Sequence, residues 1–371
     1  MKTYGEQLEQ LENKGLMRKL QVGKPGMLEF SSNDYLGLAH HPLLKEASIK
    51  AIEQYGSSVA SSRLMSGNLQ LHEDLEKRLA KLTGMEAALL FGSGFLTNIG
   101  LLNSTASRDD LIFSDRLNHA SLVDGAGLSR ARVARYKHCD VDHLEYLLSH
   151  LECRGHRYIV TDSLFSMDGD IAPLRLLDEL SKNFDCDLIV DEAHAIGIFG
   201  DGGGICREYG VKPLAIVGTL SKALGSYGGF VSCNRDMKKF LVNRARTFIY
   251  STGLPPAAPA AALAAIDIIE SQPDSGKKLL SNASDFRCLL KSSIFSTEPS
   301  ESQIVPIHVG DNLKALELAD RLKAKGISTV AVRPPTVPDG TARVRLSLTL
   351  NHSRDDLQYT ADVLNFTGSE I

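Results

Sequence analysis

The chain has 371 residues, 43% of them hydrophobic and 23% charged, with a formal net charge of −4. That length exceeds what one small core organises and predicts two domains, while the composition is that of an ordinary globular protein and excludes disorder. The weakly acidic balance excludes the broad basic surface of a nucleic-acid binder and leaves room for local basic pockets that take anionic ligands.

The first residues, Met1 to Glu6, lack the apolar run of a secretory leader, so a cytoplasmic protein is expected. Residues 7–20 carry Leu8, Leu11, Leu16 and Leu20 at loosely helical spacing, with Arg18 near the end, before Gly23, Pro25 and Gly26. A short strand over 27–30 leads into the turn-forming Ser31-Ser32-Asn33-Asp34-Tyr35-Leu36-Gly37, and 42–55 reads as a helix closed by Gly56. The hydroxyl-rich stretch 57–66 reads as an unpacked loop of the kind that often serves a site. Residues 69–82 predict a helix and 87–91 a strand. Strands at 111–113, 131–136, 157–161, 187–190 and 215–217 then alternate with helices around 122–128, 141–151 and 174–184. This alternation implies a mostly parallel sheet covered by helices on both faces, with ligands bound beyond the carboxyl ends of its strands. Residues 254–269 are apolar but contain Pro255, Pro256, Pro259 and Asp267, which argues for a packed helix rather than a membrane span. The six cysteines are scattered, with no C-x-x-C pair, so neither a zinc site nor a disulfide framework is expected.

Each strand end delivers polar chemistry. After 87–91 comes Gly92-Ser93-Gly94-Phe95-Leu96-Thr97-Asn98, a glycine turn opening a helix whose exposed N–H groups suit a phosphate. Thr97 stands where a dinucleotide fingerprint needs its third glycine, which disfavours a nicotinamide dehydrogenase. The next strands end in Asn118-His119-Ala120-Ser121, Ser166-Met167-Asp168-Gly169-Asp170, Asp191-Glu192-Ala193-His194 and Thr219-Leu220-Ser221-Lys222-Ala223-Leu224-Gly225. Singly, each has a bland reading as a cap, a turn or a packed histidine. Jointly they meet the needs of a phosphorylated pyridine aldehyde: an amine to bond, a helix start for the phosphate, and a carboxylate to keep the ring nitrogen protonated.

This set, with Ser32-Asn33-Asp34-Tyr35-Leu36-Gly37, resembles the α-oxoamine synthases, fold-type I pyridoxal-phosphate enzymes of the aspartate aminotransferase class, over nearly the whole chain. The resemblance implies an α/β fold-type I PLP-transferase: a large domain with a mostly parallel, seven-stranded-type sheet plus a smaller C-terminal α+β domain. The expected divisions are an N-terminal arm over 1–44, a PLP-binding domain over 45–255 and a small domain over 256–371. It also implies pyridoxal 5′-phosphate as cofactor, no metal, and a homodimer with a shared active site. Carried over by position, Lys222 resembles the lysine bonded to the cofactor, Asp191 the partner of the ring nitrogen and His119 the histidine stacked on the ring. His194 and Ser166 would bond the ring hydroxyl, and Thr219 with the Gly94 and Phe95 backbone would hold the phosphate. Arg345 matches the arginine that clamps the amino-acid carboxylate, with Asn33 as helper, while Arg18 and Thr336 match positions touching the substrate or its acyl part. Relatives usually carry a hydroxyl run before two prolines. Here Ser251-Thr252-Gly253 ends in glycine, so a phosphate contact across a dimer would fall to Thr252 or Ser251. The run Val332-Arg333-Pro334-Pro335-Thr336-Val337-Pro338 is similar to the branch that condenses L-alanine with a pimeloyl thioester, on CoA or a carrier protein, in biotin synthesis. The glycine-using 2-amino-3-ketobutyrate ligase shares nearly every cofactor motif and stays open, as does a cofactor-binding regulator without activity.

Overall fold

Short apolar runs separated by helix-length amphipathic segments build the middle of the chain. A computed structural model describes residues 3–20, 22–23, 25–290 and 295–368. Two compact units emerge, one of Leu36–Phe165 with Ile171–Lys277, the other of Met1–Tyr35, Ser166–Asp170 and Lys278–Ile371. The expected division at 255/256 thus falls after Lys277, because the helix Ala257–Ser271 packs on the helices Pro42–Tyr55 and Gln70–Thr83 of the first unit.

In that first unit seven strands form one sheet: β1 (Ala87–Phe91), β2 (Leu111–Asp115), β3 (Arg132–Tyr136), β4 (Arg157–Asp162), β5 (Asp187–Asp191), β6 (Ala215–Thr219) and β7 (Gly229–Cys233). Their order is β1-β7-β6-β5-β4-β2-β3. Strands β2 to β6 pair in parallel, since helical crossovers return the chain to the same edge each time. β7 is antiparallel to both neighbours; it follows β6 after nine residues, too few for a crossover. Its Gly229 lies opposite Phe91 on one side and Thr219 on the other, which aligns the start of the next helix, Gly94–Thr105, with the end of β6. Ile112, Ile159, Val160, Ile189, Val190, Ile216 and Val217 are all buried, as expected for strands covered on both faces. Each such side chain contributes about 1.5–3 kcal/mol by leaving water.

The second unit centres on an antiparallel sheet in which Ala342–Ser347 lies between Val330–Val332 and Ile304–Gly310. The helix Asn312–Ala324 buries Ala315, Leu318 and Leu322, and Asp311 caps it by accepting from the Leu313 and Lys314 N–H groups. A two-stranded parallel pair joins Leu28–Glu29 to Ile327–Ser328. The first helix spans Tyr4–Asn13 rather than 7–20, because Gly15 takes a left-handed φ of 62° that ends it. No helix among the described residues is long and apolar enough to cross a membrane.

Candidate active site

Of the residues that the sequence assigns to the cofactor's ring, phosphate and amine, all but Ser166 lie in the first unit, at or just after strand ends or at helix starts. Ser93 caps the helix Gly94–Thr105 by accepting from Leu96 N–H at 3.2 Å, leaving the first-turn N–H groups of Gly94 and Phe95 with no carbonyl in their own helix. A Cβ built on Gly229 would lie 2.5 Å from Gly94 N and from Thr97 Oγ1, so glycine there lets the helix start seat against the sheet. The Thr219 hydroxyl donates to Gly228 O at 2.9 Å and accepts from Ser221 N–H at 3.2 Å. Turning that donor toward a phosphate requires the hydroxyl to rotate.

Asp191, 5% exposed at the end of β5, accepts from Asn98 Nδ2 at 2.6 Å and from Ala193 N–H at 2.8 Å. The same Asn98 amide donates to Ser121 Oγ at 2.8 Å, and that hydroxyl lies 2.7 Å from His119 Nδ1. Asn98 Oδ1 is buried without a partner; a flipped amide would point an oxygen at the Asp191 carboxylate, so the acid sets the orientation. Accepting from Ser121 at Nδ1 leaves the His119 proton on Nε2. Burial, reinforced by the Lys222 charge, holds the His119 pKa below its usual range against the opposing pull of Asp191. The His119 backbone N–H donates to Asp162 Oδ2 at 2.7 Å, and burial followed by the Asp191 charge pushes the Asp162 acid well above the ordinary carboxylate range. Lys222 Nζ stands 2.7 Å from His194 Nε2. Its field and that of Asp191 are both felt at His119 and at Asp162, which places amine and acid in one electrostatic neighbourhood.

The stretch 57–66, expected to be unpacked, is anchored by Arg63. Its side chain is 7% exposed, pairs with Glu73 and Glu76, and lies over the Phe248 ring. Thr252 bridges to Ser62 through the backbone, and a Cβ on Gly253 would meet Gly67 O at 2.8 Å. Packing against this loop therefore requires the glycine that departs from the family's hydroxyl run. Glu192 is structural: it accepts from Ser163 Oγ at 2.9 Å and from the Ile205 and Cys206 N–H groups at 3.0 and 2.6 Å.

The second unit holds Ser166 and the residues assigned to substrate other than His119. Arg345, 8% exposed, donates from Nε to Ser166 O at 2.5 Å, from Nη1 to Ser347 Oγ at 2.7 Å, and from Nη2 to Asn33 Oδ1 and Tyr35 Oη at 3.1 and 3.3 Å. Arg343, two residues earlier on the strand, pairs with the Asp168 carboxylate, whereas Arg345 has no carboxylate partner among the described residues. Arg18 Nη2 donates to Thr336 Oγ1 at 2.9 Å, so two positions 318 residues apart come together. Asn98 went unassigned in the sequence reading, because its reach to Asp191 joins a helix to a strand end 93 residues away.

A family model for aminotransferases of class I and II matches residues 25–364. The chain belongs to that family and, within it, to the α-oxoamine synthases, which depend on pyridoxal phosphate. In sequence it is similar to 8-amino-7-oxononanoate synthases: that of Geotalea daltonii is 44% identical across 100% of this chain and 99% of its own. Among solved structures, a serine palmitoyltransferase from S. paucimobilis with bound PLP and myriocin superposes with a TM-score of 0.92 at 27% identity, covering 98% of this chain and 96% of that one. The 8-amino-7-oxononanoate synthase of Francisella tularensis gives 0.80 at 29%, covering 94% and 99%. The first unit fits the cofactor: the cradle at Gly94 is one that a Cβ on Gly229 would fill, and an amine and a buried acid complete the donor set.

Proposed function

We propose that the chain is an 8-amino-7-oxononanoate synthase that condenses L-alanine with a pimeloyl thioester, releasing the thiol and carbon dioxide. Arg345 is the observation that carries the amino-acid half of this reading. A guanidinium this buried with no acid beside it lacks an anion, and a substrate carboxylate supplies one by replacing Asn33 and Tyr35 at Nη2. Bound pyridoxal phosphate supplies an electron sink for negative charge at the amino acid's Cα.

The chain's own groups do the rest. Gly94 and Phe95 N–H and the Thr219 hydroxyl hold the phosphate. Asp191, fixed by Asn98, keeps a proton on the ring nitrogen, and His194 and Ser166 donate to the ring hydroxyl. Lys222 Nζ is the covalent anchor at rest and, once freed, moves the Cα proton. His119 stacks on the ring face and directs its Nε2 proton at the thioester carbonyl. Arg18 and Thr336 serve the acyl part. The reading carries with it a homodimer, with Thr252 or Ser251 of each copy serving the other's phosphate, and a cytoplasmic setting.

Thiol release measured for alanine, glycine and serine against pimeloyl, acetyl and palmitoyl thioesters tests it. The highest kcat/KM is expected for alanine with the pimeloyl donor. Preference for glycine with acetyl-CoA would establish the 2-amino-3-ketobutyrate ligase reading instead, and no release with any pair would overturn both.

A further inference from the structure

The surroundings of the six cysteines rank them. Burial pushes the Cys206 thiol well above its ordinary range, Cys233 up to about 12 and Cys186 up to about 11. Cys153 donates to Asp109 O at 3.0 Å, and Cys288 is simply exposed. Cys139 differs in kind. It sits half-buried in the turn between β3 and the helix Val141–His150, at a φ of 52°, with Sγ 3.8 Å from His138 Nε2. His138 Nδ1 lies 2.9 Å from Oδ1 of Asp115, a buried acid at the end of β2. That carboxylate is itself fixed, accepting from Leu117 N–H at 2.8 Å and from Cys139 N–H at 2.9 Å. The Phe165 ring meets the imidazole edge-on with centroids 4.4 Å apart.

A proton on Nδ1, donated to the carboxylate, leaves the Nε2 lone pair for the thiol. The order is thiol, imidazole, carboxylate: nucleophile, base and orienting acid, with a nucleophile-to-base distance of the loose kind found before a reactant binds. None of the three has a part in the cofactor chemistry.

We propose that Cys139 is a histidine-activated thiol and the chain's site of covalent modification by low-molecular-weight disulfides. The Sγ proton passes to His138 Nε2 as Sγ attacks one sulfur of the disulfide. A new Sγ–S bond forms, the original S–S bond breaks, and the departing thiolate takes up the proton, so that one disulfide and one thiol yield one mixed disulfide and one thiol. Asp115 stabilises the imidazolium formed between the two transfers.

The test incubates the PLP-loaded enzyme with oxidised glutathione at pH 7 and follows each cysteine by peptide mass spectrometry. Cys139 is expected to be labelled at least about tenfold faster than Cys288, although Cys288 is the more accessible. His138→Gln is expected to slow the Cys139 rate by at least about tenfold while leaving the Cys288 rate in the same sample unchanged. Labelling of Cys288 first, in the unsubstituted enzyme, would overturn the proposal without recourse to any variant. So would an unchanged Cys139 rate in His138→Gln.

Discussion

Asn98 carries no charge and touches no reacting atom, yet its one amide nitrogen bonds both Asp191 and the hydroxyl that orients His119. Removing it leaves the acid short of a charge-assisted bond worth about 1.5–3 kcal/mol and frees the histidine ring to turn. Asn98→Ala is expected to cut kcat roughly ten- to a hundredfold, to weaken PLP binding in a titration, and to lower the stability of the cofactor-free protein in urea unfolding by about 1.5–3 kcal/mol. Wild-type turnover in that variant would show that the network does not position the acid. The placement of Asp191, His119, Thr219 and Lys222 at one edge of the sheet was legible in the sequence because each closely follows an apolar run that reads as a strand, and β-α alternation sends such residues there. Asn98 was not legible, since nothing in linear spacing shows that a helical amide faces an acid 93 residues on. Nor was the engagement of the Thr219 hydroxyl with Gly228 O, which depends on where a hairpin folds back.

At the scale of elements, strand β7 was missed. Gly229-Phe230-Val231-Ser232-Cys233 is short and follows the glycine-rich lysine loop, so its leading glycine read as part of that loop. It nevertheless seats the start of the helix Gly94–Thr105. Gly229→Ala places a methyl 2.5 Å from Gly94 N and Ser93 C, contacts with backbone that cannot swing away. The variant is expected to lose about 1–3 kcal/mol in urea unfolding of the cofactor-free protein and to bind PLP more weakly as the helix start is pushed off the sheet. Unchanged stability and affinity would mean the helix start does not bear on β7. The helices Pro42–Tyr55, Val141–His150 and Leu174–Asn183, by contrast, were read to within a residue at each end, because apolar spacing and end residues are local signals, such as Gly56 after Tyr55.

Across the whole molecule, two buried histidines share one wiring. His72 Nδ1 accepts from Leu69 N–H at 2.9 Å while Nε2 lies 3.0 Å from Leu254 O; His352 Nδ1 accepts from Thr349 N–H at 3.1 Å while Nε2 lies 3.1 Å from Glu29 O. Both rings are satisfied only when neutral, and burial lowers both pKa values. The unfolded chain therefore binds protons below about pH 6.5 that the folded one refuses, so each histidine contributes stability above that pH which is lost as the pH falls. The urea midpoint of the wild type is expected to fall more steeply between pH 7 and pH 5 than that of His72→Gln, whose amide can keep both bonds without titrating. Equal slopes would contradict the neutral-ring assignment. The covalent role proposed for Lys222 admits a more direct measurement: reduction of the PLP-loaded enzyme with borohydride, then peptide mass spectrometry to locate the pyridoxyl group. The label is expected on Lys222, with none on Lys222→Ala and no turnover in that variant. A label on a different lysine, or turnover retained without Lys222, would contradict the assignment on which the proposed chemistry stands.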